Sequence, residues 1–525
     1  MDPRRLPAVA RCLLLGLGLY PALSCAILKQ PSKPAPPLNI ILFLVDDLGW
    51  QDTAVPFTAE PTAQNGQWRT PHLDTLSTRG MRFTNAYAAA PVCTPTRASL
   101  LTGRSPGAIH ITYWSQIKDQ DTSAKHPTLS PPAWRMNGLD ETDVTYPQLL
   151  GKSGYRTIHV GKAHFGARDT FGADPINLGF NVNIAGHYGG HPGSFLGTED
   201  FALAKRTGNP SANTLWDVPG LESWHGKQTY LTEALAAEAC LAIEDAHRDG
   251  APFVMNFAPY AVHTPITANM PLLGNYEQLD AKEAKYGTMI ESVDNALGEL
   301  MAKLEQLGIA EHTAIVFTSD NGGLSAHSRG AAPDGTTKNH HNAPLRSGKA
   351  SAYEGGTRVP MVVWWPGHTQ PGSWSDAPVI TYDLFPTLLA MTKVDAPPAV
   401  AEDLEGVDLS PLLAGVAESP ERSIFWHQPH QWGASGPGIA PYTAVRSGPW
   451  KLIYFHESKR LELYHLDRDI GEVDNVARNH PKIVHELATQ MQHWIDRHDV
   501  QLSHWKATGK VVPGPLAIAV SGDGQ

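Results

Sequence analysis

Several stretches of the chain are apolar at nearly every position, with no alternation. Asn39-Ile40-Ile41-Leu42-Phe43-Leu44-Val45 is the first, and Thr313-Ala314-Ile315-Val316-Phe317-Thr318-Ser319 has the same form. Such runs mark strands buried on both faces, as in a parallel sheet covered by helices. Residues 156–160, 252–258 and 361–365 fit the same role. Helical periodicity lies between them. Residues 229–249 are amphipathic, and 282–307 place Met289, Val293, Leu297, Leu300, Met301 and Leu304 on one face. Shorter helices are predicted after Thr70-Pro71, after Tyr146-Pro147 and over 384–391. The pattern predicts an α/β fold with a mixed, mostly parallel sheet flanked by helices.

The pattern changes near residues 397–420, which are small, acidic and proline-rich. Beyond them, Tyr442-Thr443-Ala444-Val445-Arg446, Trp450-Lys451-Leu452-Ile453-Tyr454 and Leu461-Glu462-Leu463-Tyr464-His465-Leu466 alternate like strands of an antiparallel sheet. A helix over 482–497 closes this part. The expected organisation is a larger domain over 38–415 and a smaller C-terminal one over 416–525, with no internal repeat. Residues 109–143 read as a polar surface excursion, and 169–226, rich in Gly and Asn, as loops around a cleft.

The first residues carry a different signal. Arg4, Arg5 and Arg11 precede the apolar run Cys12-Leu13-Leu14-Leu15-Gly16-Leu17-Gly18-Leu19-Tyr20, and Ala22-Leu23-Ser24 offers small residues for cleavage. Residues 1–24 therefore read as a signal peptide for export, to a periplasm or to the outside. The run is too short to favour a membrane span. Cys25 directly after Ser24 leaves a lipid anchor open beside ordinary cleavage.

Composition narrows the partners. The 525 residues carry a net charge of −11 without a lysine- or arginine-rich stripe, which argues against nucleic acid. An anionic substrate must then be held by local positive groups. Of the four cysteines, Cys12 leaves with the signal, so a disulfide framework is ruled out. Cys93 stands apart: small residues, Ala88-Ala89-Ala90-Pro91-Val92, precede it, and Thr94-Pro95-Thr96-Arg97 opens a helix behind it. Helix starts attract anions, and Arg97 adds fixed charge. A buried cysteine beside a helix cap is the alternative.

Buried strands repeatedly end in polar groups: Asp46 and Asp47, Lys162 and His164, His263, and Asp320 and Asn321. Ligands of open α/β sheets bind at such strand ends. The spacing of Lys162 and His164 points both the same way if the chain is extended there. Asp46, Asp47, Asp320 and Asn321 are oxygen donors, suited to Ca²⁺ or Mg²⁺ rather than Zn²⁺. The His340-His341 doublet reads as a solvated loop pair, Lys349 as a group free to pair with Glu354, and His263 as either a site or a loop histidine.

Cys93-Thr94-Pro95-Thr96-Arg97 with Leu101-Thr102-Gly103-Arg104, Gly161-Lys162-Ala163-His164, Ser319-Asp320-Asn321-Gly322 and Lys349-Ala350-Ser351-Ala352-Tyr353-Glu354-Gly355-Gly356 resemble, in this order, the signatures of the type I, formylglycine-dependent sulfatases. The match spans roughly 39–391. The resemblance implies an alkaline-phosphatase-like fold and hydrolysis of a sulfate ester. It implies that a separate formylglycine-generating enzyme converts Cys93 to formylglycine, whose hydrate is the nucleophile. It also implies Ca²⁺, less readily Mg²⁺, on Asp46, Asp47, Asp320, Asn321 and the modified Cys93. Arg97, Lys162 and Lys349 would offset charge on the sulfate and the leaving oxygen, His263 would protonate that oxygen, and His164 would be the base that re-forms the aldehyde. Ser347 and Ala350 stand where glycines are common in the family, and Ala163 and Phe165 flank His164 where other residues are usual. The polar loops at 109–143 and 169–226, with many Trp and His, suggest a pocket for sugars, so a sulfated carbohydrate comes first and a small aryl sulfate second; the oligomeric state stays open. A phosphonate or phosphodiester hydrolase of the same superfamily is the alternative, disfavoured because Asn321 stands where such enzymes carry His. A non-catalytic binding protein and a Cys-His thiol hydrolase are weaker ones.

Overall fold

The all-apolar runs form the middle of one sheet. The protein is described by a computed structural model over residues 36–330, 341–418 and 421–521. Residues 1–24, Cys25 and His340 lie outside the described residues. β1 (Asn39–Val45), β2 (Met81–Phe83), β3 (Arg156–Gly161), β4 (Val182–Ile184), β5 (Phe253–Ala258), β6 (Thr313–Ser319), β7 (Met361–Trp364) and β8 (Ser373–Ser375) make an 8-stranded sheet. Its order is β8-β2-β7-β6-β1-β5-β3-β4. From β6 to β4 the strands are parallel, and β7 is antiparallel to both its neighbours. This is the mixed, mostly parallel sheet that the apolar runs predict.

Helices cover both faces: α1 (Pro71–Arg79), α2 (Cys93–Thr102), α3 (Leu231–Arg248), α4 (Ala281–Gln306) and α5 (Leu384–Thr392). Successive residues of β1 serve opposite cores because a strand's side chains alternate. Ile41, Phe43 and Val45 pack with α1, α3 and α4. Ile40, Leu42 and Leu44 pack with α2 and α5. Both sets are removed from water, so the strand reads as continuously apolar. No helix among the described residues is long and apolar enough to cross a membrane.

Toward the C-terminus, β9 (Ser423–Gln428), β10 (Tyr442–Ser447), β11 (Trp450–Phe455) and β12 (Leu461–His465) form an antiparallel sheet in chain order. α6 (Pro481–Arg497) lays Val484, Leu487 and Met491 on it. β9 escapes the sequence reading, although its Ile424 and Trp426 are buried against Tyr87 and Ala89 of the N-terminal part. Residues from Pro37 onward form one compact unit.

Two expectations need correction. The 109–143 segment is not merely a surface excursion, since Ile111, Tyr113, Trp134 and Leu139 are buried. His341 is not solvated: it is buried with Nε2 3.9 Å from Glu283. Their signal was lost in the polar text around them.

Under the C-terminal sheet runs a chain of hydrogen bonds. His427 Nε2 lies 2.9 Å from Gln501 O, Thr443 Oγ1 bridges His427 Nδ1 and His456 Nε2 at 2.9 Å each, and His456 Nδ1 meets Ser503 Oγ at 2.8 Å. Neutral imidazoles satisfy every link. Burial pushes His427 down to about 4 and His456 well below its ordinary value. The folded state thus refuses protons that the unfolded chain takes up below about 6.5. Stability from this chain is present at neutral pH and falls as pH drops below about 6.5, by about 1.4 kcal/mol per pH unit for each histidine. Thermal unfolding followed at pH 7.5 and pH 5 is expected to show a lower Tm at pH 5, and His456→Gln is expected to shrink the difference.

Candidate active site

Strand register sets the first part of the site. Val45 sits opposite Ser319, so Asp46-Asp47 and Asp320-Asn321 leave neighbouring strands side by side. The Asp320 N–H donates to Val45 O at 3.1 Å, and the Asp47 N–H to Asp320 Oδ1 at 3.1 Å. Asp47 takes a left-handed backbone, φ 61°, which aspartate tolerates better than most residues.

β3 delivers Lys162 beside them. Gly161 has φ 93°, and a Cβ there would lie 2.1 Å from Ala258 O. The extended reading of Lys162 and His164 does not hold, because His164 itself has φ 54°. His164 arrives by a turn, and its Nε2 lies 2.8 Å from Ser115 O. Gly190 makes room for the ring, since a Cβ there would stand 2.8 Å from His164 Cε1.

Cys93 is the first residue of α2, every residue of which is buried. Its Sγ lies 3.5 Å from Lys349 Nζ and 3.8 Å from Asp46 Oδ1. Arg97, one turn on, donates from Nε to Asp320 Oδ2 at 2.8 Å and from Nη1 to Lys162 O at 2.7 Å. Lys162 Nζ grips both Asp46 oxygens at 2.7 and 2.8 Å. Asp47 Oδ1 accepts from Lys349 Nζ at 2.6 Å and from Asn321 Nδ2 at 2.7 Å. His263 Nε2 stands 3.5 Å from Asp47 Oδ2. The alternative pairing of Lys349 with Glu354 does not form. Glu354 is held by Lys451 at 2.9 Å, Arg358 at 3.2 Å and the Tyr87 hydroxyl at 2.7 Å. Ser347 and Ala350 have φ 66° and 74°, a backbone that favours glycine.

All the residues picked from the strand ends and the cysteine segment therefore meet in one place. Burial dominates the electrostatics. It pushes Asp46 up to about 8, with Lys162 opposing it. Burial also acts on Asp47, but Lys349, His263 and Lys162 outweigh it and hold that carboxyl below its usual range. The Cys93 thiol is pushed up to about 11 by burial, in spite of Lys162 and Lys349. Such a thiol carries almost no thiolate at neutral pH, which disfavours a thiol hydrolase. His164 and His263 are held well below the ordinary histidine value, first by burial and then by Lys162 and Lys349 respectively.

The donor set suits a hard cation. Asp47 Oδ2 and Asn321 Oδ1 are buried without a hydrogen-bond partner. Among the described residues, Asp46, Cys93 and Asp320 offer ligand atoms within 4.8 Å of one another, as do Asp47, Cys93 and His263. Unpaired buried oxygens are costly, and a divalent cation satisfies them. With all three carboxylates ionised, as ligands of a cation must be, the side chains' own charges cancel, Asp46, Asp47 and Asp320 against Arg97, Lys162 and Lys349. A divalent cation therefore leaves the site positive and ready for an anion.

Beside Cys93 opens a cavity of about 280 Å³. Its walls include Trp114, His191, Trp216 and Trp432. The His191 ring stacks on Trp216 at 3.8 Å and lies 5.8 Å from that of His263. These residues come from non-periodic loops, and nothing in their local sequence marks them individually.

Comparison with known proteins decides the family. The sulfatase family model matches residues 38–394. The chain is a sulfatase. A second model, the C-terminal part of N-sulphoglucosamine sulphohydrolase, matches this sulfatase over residues 348–499. N-acetylgalactosamine-6-sulfatase of Mus musculus is 32% identical over 416 residues, covering 77% of this chain and 71% of its own. Arylsulfatase A of Homo sapiens is 29% identical over 460 residues, covering 86% and 82%. A crystal structure of Ps i-CgsB in complex with k-i-k-neocarrahexaose superposes with a TM-score of 0.71 at 25% identity, covering 93% of this chain and 97% of that one. The enzyme is accordingly a sulfuric ester hydrolase of the alkaline-phosphatase-like fold.

Proposed function

We propose that this sulfatase cleaves a sulfate ester on a carbohydrate, releasing alcohol and inorganic sulfate, with a Cys93-derived formylglycine and a bound Ca²⁺. The observation that carries the reading is the convergence of Asp46, Asp47, Asp320 and Asn321 on Cys93, with two of their buried oxygens unpaired. The carbohydrate reading draws support from the relatives, one of which is an N-acetylgalactosamine-6-sulfatase and another a protein bound to a neocarrahexaose. Maturation would need a formylglycine-generating enzyme. The basic start, apolar run and Ala22-Leu23-Ser24 support export of the protein, with Cys25 as the point of any lipid anchor.

When present, the formylglycine hydrate supplies the attacking hydroxyl, and the cation held by Asp46, Asp47, Asp320 and Asn321 supplies positive charge beside it. The remaining work belongs to the chain's own groups. Lys349 Nζ lies 3.5 Å from the Cys93 side chain and Arg97 spans Asp320 and Lys162, so both place fixed charge where the sulfate must sit. The two histidines are set in opposite tautomers. Facing a carbonyl acceptor, Ser115 O, His164 Nε2 carries a hydrogen, which leaves its Nδ1 as a base. His263 Nδ1 faces Thr264 O at 3.0 Å and so carries its hydrogen, which leaves Nε2, beside Asp47 Oδ2, able to hand a proton to the leaving oxygen only from the charged ring. Burial and Lys349 oppose that charged form, and Asp47 favours it.

Sulfate release measured by ion chromatography from sulfated monosaccharides is the direct test. Steady release by the matured, Ca²⁺-supplied enzyme is expected, and His263→Ala is expected to slow sugar sulfates more than aryl sulfates, whose leaving oxygens need less protonation. Release confined to aryl sulfates would overturn the carbohydrate reading.

A further inference from the structure

Charge is distributed unevenly around the cavity beside Cys93. Among the described lining residues Lys349 is the one lysine or arginine, and no aspartate or glutamate is among them. The rest of the wall is aromatic or neutral: Trp114, Trp216 and Trp432, with Gln116, Leu324 and Ser328 between them. The three tryptophans are half-buried, so each keeps part of its surface toward solvent. Flat aromatic surface with a few neutral hydrogen-bonding groups suits the C–H face of a sugar ring. A second anionic group on the same ring would lose its hydration there without gaining a cation.

Size and surroundings add to this. A volume of about 280 Å³ falls just below the range of about 300–1,000 Å³ usual for drug-sized ligands, which is room for one ring beyond the sulfate. The walls come from separate segments: Trp114 and Gln116 from one loop, Trp216 from a second, Leu324 and Ser328 from the stretch after β6, and Trp432 from the stretch after β9. Room for one ring suits the end of a chain better than its middle. The net charge of −11 further disfavours a polyanionic polymer.

From these observations we infer that the enzyme takes a single terminal sugar carrying one sulfate and no other charge, and so acts from chain ends. The inference rests on the sulfatase reading of the same site. It excludes disulfated sugars and sulfated uronates as good substrates, along with internally placed sulfates. The specificity lies in Gln116, Ser328 and the tryptophans, away from the reacting atoms.

The test uses the full-length matured enzyme with Ca²⁺ and measures sulfate release from four sets of probes. These are 4-nitrocatechol sulfate; the 2-, 3-, 4- and 6-monosulfates of galactose and glucose with the 3-, 4- and 6-monosulfates of their N-acetylamino forms; glucosamine 2-N,6-O-disulfate with a sulfated uronate; and neutral oligosaccharides sulfated either at the non-reducing end or internally. At least one neutral monosulfate is expected to exceed the disulfate and the uronate in kcat/KM by about 100-fold. End-sulfated oligosaccharides should be cleaved and internally sulfated ones left intact. Gln116→Lys should narrow the discrimination against the disulfate at least tenfold, because it places a cation in the neutral wall. Hydrolysis of the aryl sulfate with equal or better rates on the disulfate, the uronate or internal sulfates would overturn the inference and leave the sulfatase reading intact. Release of sulfate from none of the probes, 4-nitrocatechol sulfate included, would overturn the proposed activity, and the inference with it.

Discussion

Replacing Cys93 with alanine is expected to lower turnover by about 10⁴-fold or more, the scale at which loss of a nucleophile acts. Little stability should go with it, because the removed group is small and its hydrogen bonds among the described residues are long, to Lys349 at 3.5 Å and to Asp46 at 3.8 Å. Cys93→Ser separates the proposed chemistry from ordinary nucleophilic catalysis. A serine hydroxyl can accept the sulfuryl group, but its ester has no geminal hydroxyl through which to expel sulfate. The expected result is at most one turnover, with the sulfate retained on residue 93 and detected as an SO₃ adduct by mass spectrometry. Sustained turnover by the serine variant would show that the aldehyde is dispensable.

Ca²⁺ is expected to act on stability as well as on rate. It would join three buried carboxylates whose present partners are Lys162, Lys349 and Arg97, and would satisfy Asp47 Oδ2 and Asn321 Oδ1. At a concentration 100 times its Kd, a cation that binds only the folded state adds about 2.7 kcal/mol, so Tm should rise when Ca²⁺ is added to chelated protein. Sulfate release should fall about 100-fold or more on thorough chelation and return with Ca²⁺. Asp47→Asn keeps the side chain's shape but removes its charge, and should abolish the Ca²⁺-dependent rise in Tm. Unchanged turnover after metal removal would contradict the assignment of these four residues.

The sheet and much of the site were legible in the sequence for one physical reason. Strands buried on both faces must be apolar throughout, so the residue where burial gives way to chemistry stands out. Asp46, Lys162 and Asp320 are marked in this way. Where backbone conformation decides the geometry, the pattern is silent. His164 reaches the site through a left-handed residue and not through strand alternation. Trp216 and His191 lie in loops without period, and only the folded chain brings them beside Cys93. β2 and β8, neighbours at one end of the sheet, are three residues long, too short to show periodicity. His341 and the His427–Thr443–His456 chain are buried polar groups satisfied by distant partners, a state that no local window records. Ser347 and Ala350, which stand where glycines are common in the family, both adopt the left-handed region, a backbone feature that their side chains do not announce.

The central claim is that the working group at position 93 is an aldehyde and not a thiol. Burial that pushes a Cys93 thiol up to about 11, with no histidine among the described residues hydrogen-bonded to it, argues in that direction. Trypsin releases this position in the peptide 83–97, between Arg82 and Ala98. Mass spectrometry of that peptide from active enzyme is expected to show the cysteine's H₂S replaced by oxygen, in proportion to specific activity across preparations. Full activity in a preparation whose peptide carries only the unmodified thiol would contradict the account.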